Sequence, residues 1–366
     1  MAAFLKSLSR LFGGKADPQL YLAAFGKHPG WNDHIDDMGL DTQALIAVKR
    51  LLYVQGINQN IDAGAWENPD VVATAGGGGG SVGGEAGARL AGFRHEFLWY
   101  LPPSWTGHAD PALVAGRMWS SVDGKGRAKY PMVLAAQTVS LPDSFALRMV
   151  LPTLAKVHDR CAATNDAALV RQTLDAARNA LRSRLHESPP AEALTANQVA
   201  AVARHPDMHS GAEGGAGGGF HRILYAFHQT FAAYRPGAAA NGGKRPEQIR
   251  VPLAGLCPAD ALAFWLRVSL SLLDEATPIL LLAADPAVTG PATTPPSPPS
   301  AGWVDILVGE PTPANFFAIK AGAKSLPLTS DIPYSLTPNF ITGVESFLNQ
   351  AASSPPDSPP PPWPAL

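Results

Sequence analysis

Residues 116–133, GRMWSSVDGKGRAKYPMV, contain the densest local pattern in the chain. Apolar residues open the stretch, and the run MVLAAQTV from Met132 has the composition of a second β-strand. Between them, Gly124 and Gly126 permit the positive φ values that a sharp reversal needs, and Pro131 fits the start or edge of a strand. The stretch therefore predicts two strands joined by a tight Asp-Gly-Lys-Gly-Arg loop.

The neighbouring sequence extends this pattern into a sheet. Strands are predicted at 93–101, 113–122 and 132–139, and three consecutive strands favour an antiparallel meander. A short apolar strand at 21–25 leads into a second loop, GKHPGWNDH, at residues 26–34. A helix follows from Thr42, and Gly56 is typical of a helix end.

Further elements fill the rest of the chain. Thr195 and Gln198 form a capping-box pattern, and Thr337 with Pro338 is typical of a helix start. The predicted helices and late strands lie at 150–161, 166–186, 195–204, 220–234, 249–252, 258–274, 278–284, 303–308 and 337–348. The expected fold class is α/β: a mainly antiparallel mixed sheet flanked by helices, with a helix-rich second half.

Composition shifts divide the chain into segments. We expect an N-terminal amphipathic segment at 1–18, an α/β domain at 19–190 with a glycine-rich insertion at 75–88, and a helix-rich α/β part at 191–350. The proline-rich tail at 351–366 is expected to be disordered or in the polyproline II conformation. The insertion lacks the Gly-Lys-Ser/Thr ending of a phosphate-binding loop. The amphipathic segment fits either a docked terminal helix or weak peripheral contact with a membrane surface.

Charge and composition exclude several classes of function. The formal net charge is −2 and no block of Lys or Arg occurs, which argues against nucleic-acid binding. Neither of the two cysteines, Cys161 and Cys257, has a metal-type spacing, so we expect buried free thiols in a reducing cytoplasm. No apolar run reaches the ~18 residues of a membrane span, and no signal peptide is recognised. The expected location is cytoplasmic.

Candidate catalytic residues are few. His28, Asp33 and His34 lie close together in the 26–34 loop and are candidate metal ligands, but no familiar ligand spacing surrounds them. A polar turn with Asp33 capping backbone amides is the alternative interpretation. Ser120 and Ser121 lack the Gly-x-Ser-x-Gly context of an activated nucleophile. The sequence therefore predicts a protein without a catalytic motif, a bound metal or a cofactor.

Two motifs together resemble one known family. The loop residues Ser121, Asp123, Gly126, Arg127 and Pro131 resemble the signature loop of the TagF (ImpM) family, accessory proteins of the bacterial type VI secretion system. Upstream, Gly26, Lys27, Pro29 and Asp33 are similar to that family's Gly-Lys-x-Pro-x-x-x-Asp segment. The resemblance covers residues 20–160. Ser120, Lys125 and His34 depart from the usual residues, which is typical of a divergent member.

The resemblance implies a non-enzymatic accessory or regulatory protein of type VI secretion that binds other cytoplasmic proteins. The implied partners are regulatory or structural proteins of that system, among them a forkhead-associated scaffold protein. It also implies that the two loops form one surface in which Lys27, Asp33, Asp123 and Arg127 pair. Such a network either locks the two loops together or forms part of a partner-binding surface.

Two other functions remain open from the sequence. A metal-dependent or other hydrolase would require His28, Asp33 and His34 to converge at a pocket. A scaffold would instead recruit proline-binding modules through the proline-rich tail.

Overall fold

One sheet of seven strands organises the protein. The computed structural model describes residues 17–62, 94–106, 111–127, 129–187, 193–208, 218–238, 244–284, 302–319, 327–355 and 357–364. The predicted amphipathic segment up to residue 16, the glycine-rich insertion at 75–88 and the proline-rich loop at 285–301 lie outside these residues.

The strands are arranged in the order β1-β4-β3-β2-β6-β7-β5. Their bounds are β1 Gln19–Gly26, β2 Arg94–Leu101, β3 Ala112–Trp119, β4 Met132–Val139, β5 Glu247–Pro252, β6 Ile279–Ala284 and β7 Trp303–Val308. The predicted meander of β2, β3 and β4 is confirmed. All six pairings between these strands are antiparallel, so the described sheet is not mixed.

The two parts of the chain meet in the middle of this sheet. Strand β2 pairs on one side with β3 and on the other with β6, where Trp99 lies opposite Leu280. The predicted boundary near residue 190 therefore does not divide the sheet: strands from before and after it belong to the same sheet. This arrangement explains why β3 and β6 are buried along their whole length.

Helices cover both faces of the sheet, so the fold is α/β as predicted. Their bounds are α1 Gln43–Val48, α2 Gln59–Asp62, α3 Pro103–Thr106, α4 Asp143–Phe145, α5 Leu151–Ala162, α6 Ala167–Arg182, α7 Ala196–Ala203, α8 Gly219–Thr230, α9 Pro258–Leu272 and α10 Pro338–Ser353, with π-helical segments at Lys49–Asn58 and Ala146–Val150. Leu98 packs into the core beneath α5, α6, α8 and α9, while its neighbour Trp99 packs into the opposite core with α1. Within the described residues, none of the helices has the length and apolar character needed to cross a bilayer.

Several predicted helix ends agree with the structure. The capping box of α7 is present, since Thr195 accepts from the Gln198 amide and the Gln198 side chain accepts from the Thr195 amide. Thr337 caps α10 in the same way, accepting from the amide of Phe340. Asp166 caps α6 and accepts from Ala168 and Leu169.

The predicted helix end at Gly56 is wrong. The helix that starts after Thr42 continues through Gly56 as the π-helical segment Lys49–Asn58 and then as α2. A Cβ atom at position 56 would lie 2.6 Å from the ring of Phe316. The glycine therefore permits a close contact with a distant segment and does not terminate the helix.

Residues 357–364 of the proline-rich tail pack against the rest of the fold, so the disordered alternative does not hold for these residues. Trp363 stacks on Phe347 of α10 with ring centroids 4.7 Å apart, and Ser358 O accepts a hydrogen bond from the amide of Ala196. Phe347 lies on the face of α10 that this segment contacts. The indole ring of Trp363 buries a large apolar area against it. A composition rich in proline does not reveal that surface.

The outer edge of β1 is closed by side chains. The Arg178 guanidinium donates to Leu22 O and that of Arg182 donates to Leu20 O, each at 3.3 Å, while Met38 and Ala24 exchange backbone hydrogen bonds. These contacts use backbone groups that would otherwise be free to pair with another strand.

Candidate functional site

The two motif loops begin side by side, because β1 ends where β4 begins. Gly26 is paired with Met132, and the Lys27 amide donates to Pro131 O at 3.1 Å. Gly26 has φ +107°, and a Cβ atom there would lie 2.2 Å from Pro131 O. A glycine is therefore required at position 26, where β1 passes close to Pro131 O. Pro131 directly precedes β4, in agreement with the prediction that it lies where a strand begins.

A buried ion pair joins the two loops. The Nζ of Lys27 lies 2.5 Å from Oδ2 of Asp123, and the two side chains are 3% and 0% exposed. The same carboxylate oxygen accepts from Nε of Arg127 at 2.7 Å. The predicted pairing of Lys27, Asp123 and Arg127 is thus observed.

The other carboxylate oxygen of Asp123 organises its own loop. It accepts from the amides of Lys125 and Arg127, each at 3.0 Å. Burial opposes ionisation of Asp123, but the hydrogen bonds from Lys27, from these two amides and from the Arg127 side chain outweigh it and lower the pKa of the carboxyl to about 2. Asp123 is therefore a carboxylate at neutral pH. Its hydrogen bonds hold the turn that follows the end of β3 at Trp119.

Arg127 links the loop back to the 26–34 segment. Its Nη2 donates to Asn32 O at 2.8 Å and lies 3.5 Å from Oδ1 of Asp33. The amide of Gly124 donates to Trp31 O at 2.6 Å, and a Cβ on Gly124 would lie 3.0 Å from Pro29 O. The two loops are therefore in contact along their whole facing sides.

Asp33 is 67% exposed and lies at the rim of this network, 3.4 Å from Nζ of Lys27. Its hydrogen bond to His34 lowers the pKa of the carboxyl, and Lys27 and Arg127 add to that effect. The predicted role of Asp33 in capping backbone amides is filled instead by Asp123. Asp33 contacts the side chains of Lys27, His34 and Arg127.

His28 points away from the other two candidate metal ligands. It is buried beneath α5, where Nε2 lies 2.9 Å from Cys161 O, and its Nδ1 accepts from the amide of Gly30. Because both ring nitrogens are engaged, His28 serves as a packing and hydrogen-bonding residue, and burial lowers its pKa. Throughout the part of the chain that the structure describes, no three His, Cys, Asp or Glu side chains converge to hold a metal ion. Of the two free cysteines, Cys161 is buried as predicted, whereas Cys257 is exposed and the prediction for it is wrong.

The surface that the two loops present consists of Asn32, Asp33, Val122, Lys125 and Arg127, which we call the two-loop surface. Arg127 is 49% and Val122 36% exposed, and Lys125 and Asn32 are also exposed. Ser121 is half-buried at the end of β3, and Gly126 with φ +75° lies at the loop tip with nothing near its missing side chain. The two-loop surface is an exposed patch with three charged residues and one apolar residue.

Two supporting groups are not among the predicted site residues. The ring of Tyr130 lies 5.7 Å from Nζ of Lys27 and 5.3 Å from the ring of His34, and its hydroxyl donates to Asp62. On the other side, the Arg171 guanidinium lies 5.4 Å from the Trp31 ring and pairs with Asp36. In the sequence, both groups could have been found from an aromatic residue next to charged loop residues, Tyr130 in one case and Trp31 in the other.

A groove of about 310 Å³ lies elsewhere, between α7 and α10. It is lined by Ala200, Ala203, Arg204, Glu345, Leu348 and Asn349. None of these residues belongs to the two-loop surface.

Comparison with known proteins leaves the family open. No family model matches the chain, and no curated protein matches it. Among solved structures, the chain is similar to PA0076 from Pseudomonas aeruginosa PAO1, with 17% identity over 49% of this chain and 74% of that chain and a TM-score of 0.29. A similarity of this size does not assign a function.

Proposed function

We propose that this chain is a non-enzymatic accessory or regulatory protein of bacterial type VI secretion, and that it binds its partner through the two-loop surface. The observation that carries the proposal is the contact between Lys27 and Asp123, which brings the two TagF-like motifs together across 96 residues of sequence. The residues that resemble the family are thus neighbours in space as well as in order.

The energetics of the ion pair support a role in positioning. Burying a lysine and a carboxylate has a large desolvation cost, and a well-packed apolar pair of similar volume often holds two loops equally well. A charged pair also fixes the orientation of the Asp123 carboxylate. That carboxylate and Asn32 O in turn hold the guanidinium of Arg127, which projects from the loop. An arginine restrained in this way loses little side-chain entropy when it contacts a partner.

The exposed residues fit a protein partner. Arginine is enriched at protein interfaces, and the two-loop surface combines Arg127 and Lys125 with the acidic Asp33 and the apolar Val122. By the resemblance, the partners are cytoplasmic regulatory or structural proteins of the secretion system, including a forkhead-associated scaffold protein. The proposal requires no cofactor.

A hydrolase built on the 26–34 loop has little structural support. His28 is buried and engaged by Cys161 and Gly30, whereas His34 is exposed beside Asp33. The three side chains that this alternative requires do not share one site.

Affinity purification from the native bacterium tests the proposal. We expect the wild-type chain to recover secretion-system components and Arg127→Ala to lose them. Arg184→Ala is the matched control, because Arg184 has similar exposure, 52%, and also pairs with a carboxylate, that of Glu187. All three chains are first compared by circular dichroism and thermal unfolding.

The possible results separate two claims. Recovery of no such component by the wild-type chain would remove the support for a secretion function. Equal recovery by wild type and Arg127→Ala would keep that function and place the binding surface elsewhere.

A further inference from the structure

The proline-rich segment 357–364, DSPPPPWP, lies along α10 in the reverse direction. Ser358 is held at the start of α7 by the amide of Ala196, Trp363 covers Phe347, and Pro364 lies over Gly343. The contacts thus move toward the N-terminal end of α10 as the segment proceeds. The Ser358 amide donates to Pro355 O at 3.0 Å, which ties the start of the segment to the end of α10.

The helix face beneath the segment contacts it at Gly343 and Phe347. A Cβ atom at Gly343 would lie 3.7 Å from Cβ of Pro364, an ordinary van der Waals distance, so a longer side chain at this position would meet Pro364. Phe347 is 3% exposed because the indole of Trp363 stacks on it at an interplanar angle of 28°. An aromatic ring beside a shallow helix surface is typical of sites that bind proline-rich peptides.

Residues 357–364 contact the helix in the way that a bound proline-rich peptide would. Prolines have no amide hydrogen to satisfy, and their restricted φ keeps the segment extended when it leaves the helix. The side-chain hydroxyls of Ser354 and Ser358 donate locally, to Gln350 O and Pro355 O. Trp363 and Pro364 are half-buried, so they are reachable from solvent.

We propose that the face of α10 around Gly343 and Phe347 is a recognition site for proline-rich segments that contain Pro-Trp-Pro, and that residues 357–364 occupy it in cis. The occupant in trans is a partner protein's segment of the same chemistry, which displaces residues 357–364 and leaves them free. The site lies outside the two-loop surface and does not depend on the function proposed for it.

A peptide-binding measurement on the full chain tests this site. The probe is a fluorescein-labelled, end-blocked peptide with the sequence of residues 357–364, followed by fluorescence anisotropy. A short tether gives the cis segment an effective concentration of about millimolar, so wild type should bind the probe weakly. Trp363→Ala removes the stacking residue from the cis segment, and we expect it to bind the probe at least about tenfold more tightly than wild type.

Two further variants locate the binding. Adding Gly343→Arg to Trp363→Ala puts a long side chain where Pro364 lies, without weakening the helix, and should abolish binding of the probe. Asp357→Ala changes an exposed residue of the segment and should behave as wild type. A probe with Ala in place of Trp should not bind any of the chains.

Several results would overturn the proposal. If correctly folded Trp363→Ala does not bind the probe, the helix face is not a recognition site. Equal binding by wild type and Trp363→Ala would mean that residues 357–364 do not occupy it. If sedimentation shows that wild type forms a dimer that Gly343→Arg abolishes, the occupant is a second copy and not a partner protein.

Discussion

The Lys27 ammonium and the Asp123 carboxylate form a buried ion pair at 2.5 Å, although they come from the ends of different strands, β1 and β3. Both side chains are almost fully buried, at 3% and 0% exposure, so solvent has little access to either charge. We therefore expect the two loops that carry the TagF-like residues to depend on each other, so that a change in either charge affects both.

The first prediction concerns the loss of one charge. Asp123→Asn keeps the shape and the acceptor for the amides of Lys125 and Arg127. It leaves the buried Lys27 with only the exposed carboxylate of Asp33, 3.4 Å away, as a counter-charge, so we expect a loss of about 3 kcal/mol in the free energy of unfolding. Adding Lys27→Met should recover part of that loss. Urea denaturation measures both; a double variant no more stable than the single one would contradict this account.

The second prediction concerns pH. The folded pKa of Asp123 is about 2 against an ordinary value of 3.8, so the unfolded chain takes up the proton first as the pH falls. The stabilisation from this group, about 2 kcal/mol, is therefore complete above about pH 5 and is lost as the pH falls toward 2. Unfolding measured from pH 6 to 2 should show this slope in wild type and lack it in Asp123→Asn. Identical slopes would show that other carboxyls cause the acid sensitivity.

The third prediction compares two glycines inside helices. Helix propensity alone favours alanine at both positions by about 1 kcal/mol. At Gly56, however, the new Cβ would meet Phe316 at 2.6 Å, so we expect Gly56→Ala to destabilise the protein by about 1–3 kcal/mol. At Gly343 the nearest atom is 3.7 Å away, so Gly343→Ala should be neutral or stabilising. Thermal unfolding of both variants checks the difference in sign.

The fourth prediction concerns the edge of β1. Replacing Arg178 and Arg182 by alanine removes the donors to Leu22 O and Leu20 O and leaves these carbonyls open to another strand. We expect the double variant to self-associate at concentrations where wild type does not, as measured by sedimentation velocity. Arg184→Ala, which loses a pairing with Glu187 at the surface, is the control and should remain like wild type. An unchanged sedimentation profile for the double variant would show that Met38 protects the edge sufficiently.

Local patterns predicted the elements of this fold well. The strands β1 to β7 and the capping residues Thr195 and Thr337 follow from alternation, apolar runs and turn chemistry within a few residues of each element. The pairing of Lys27 with Asp123 was also expected, from the order of two motifs, and it is observed. The role of these residues in binding a partner stays a prediction.

Other features depend on contacts that a local pattern does not contain. The contact of Gly56 with Phe316 and that of His28 with Cys161 O join residues far apart in the chain. The contact of Phe347 with Trp363 depends on how the segment after α10 turns back onto the helix. A glycine in a helix and a run of prolines have the same appearance in sequence whether or not something covers them. Such features become visible only when the packing of the whole chain is known.

The pairing of β2 with β6 also has a consequence for biosynthesis. When β2 leaves the ribosome its partner on one side has not yet been made, and the chain from Leu101 to Ile279 must first be translated. At about 5–20 residues per second, this takes about ten to forty seconds. During that time a sheet formed by β1 to β4 alone would have an open edge at β2 that includes Phe97 and Trp99, the kind of unpaired apolar edge that makes a partly folded chain prone to aggregate.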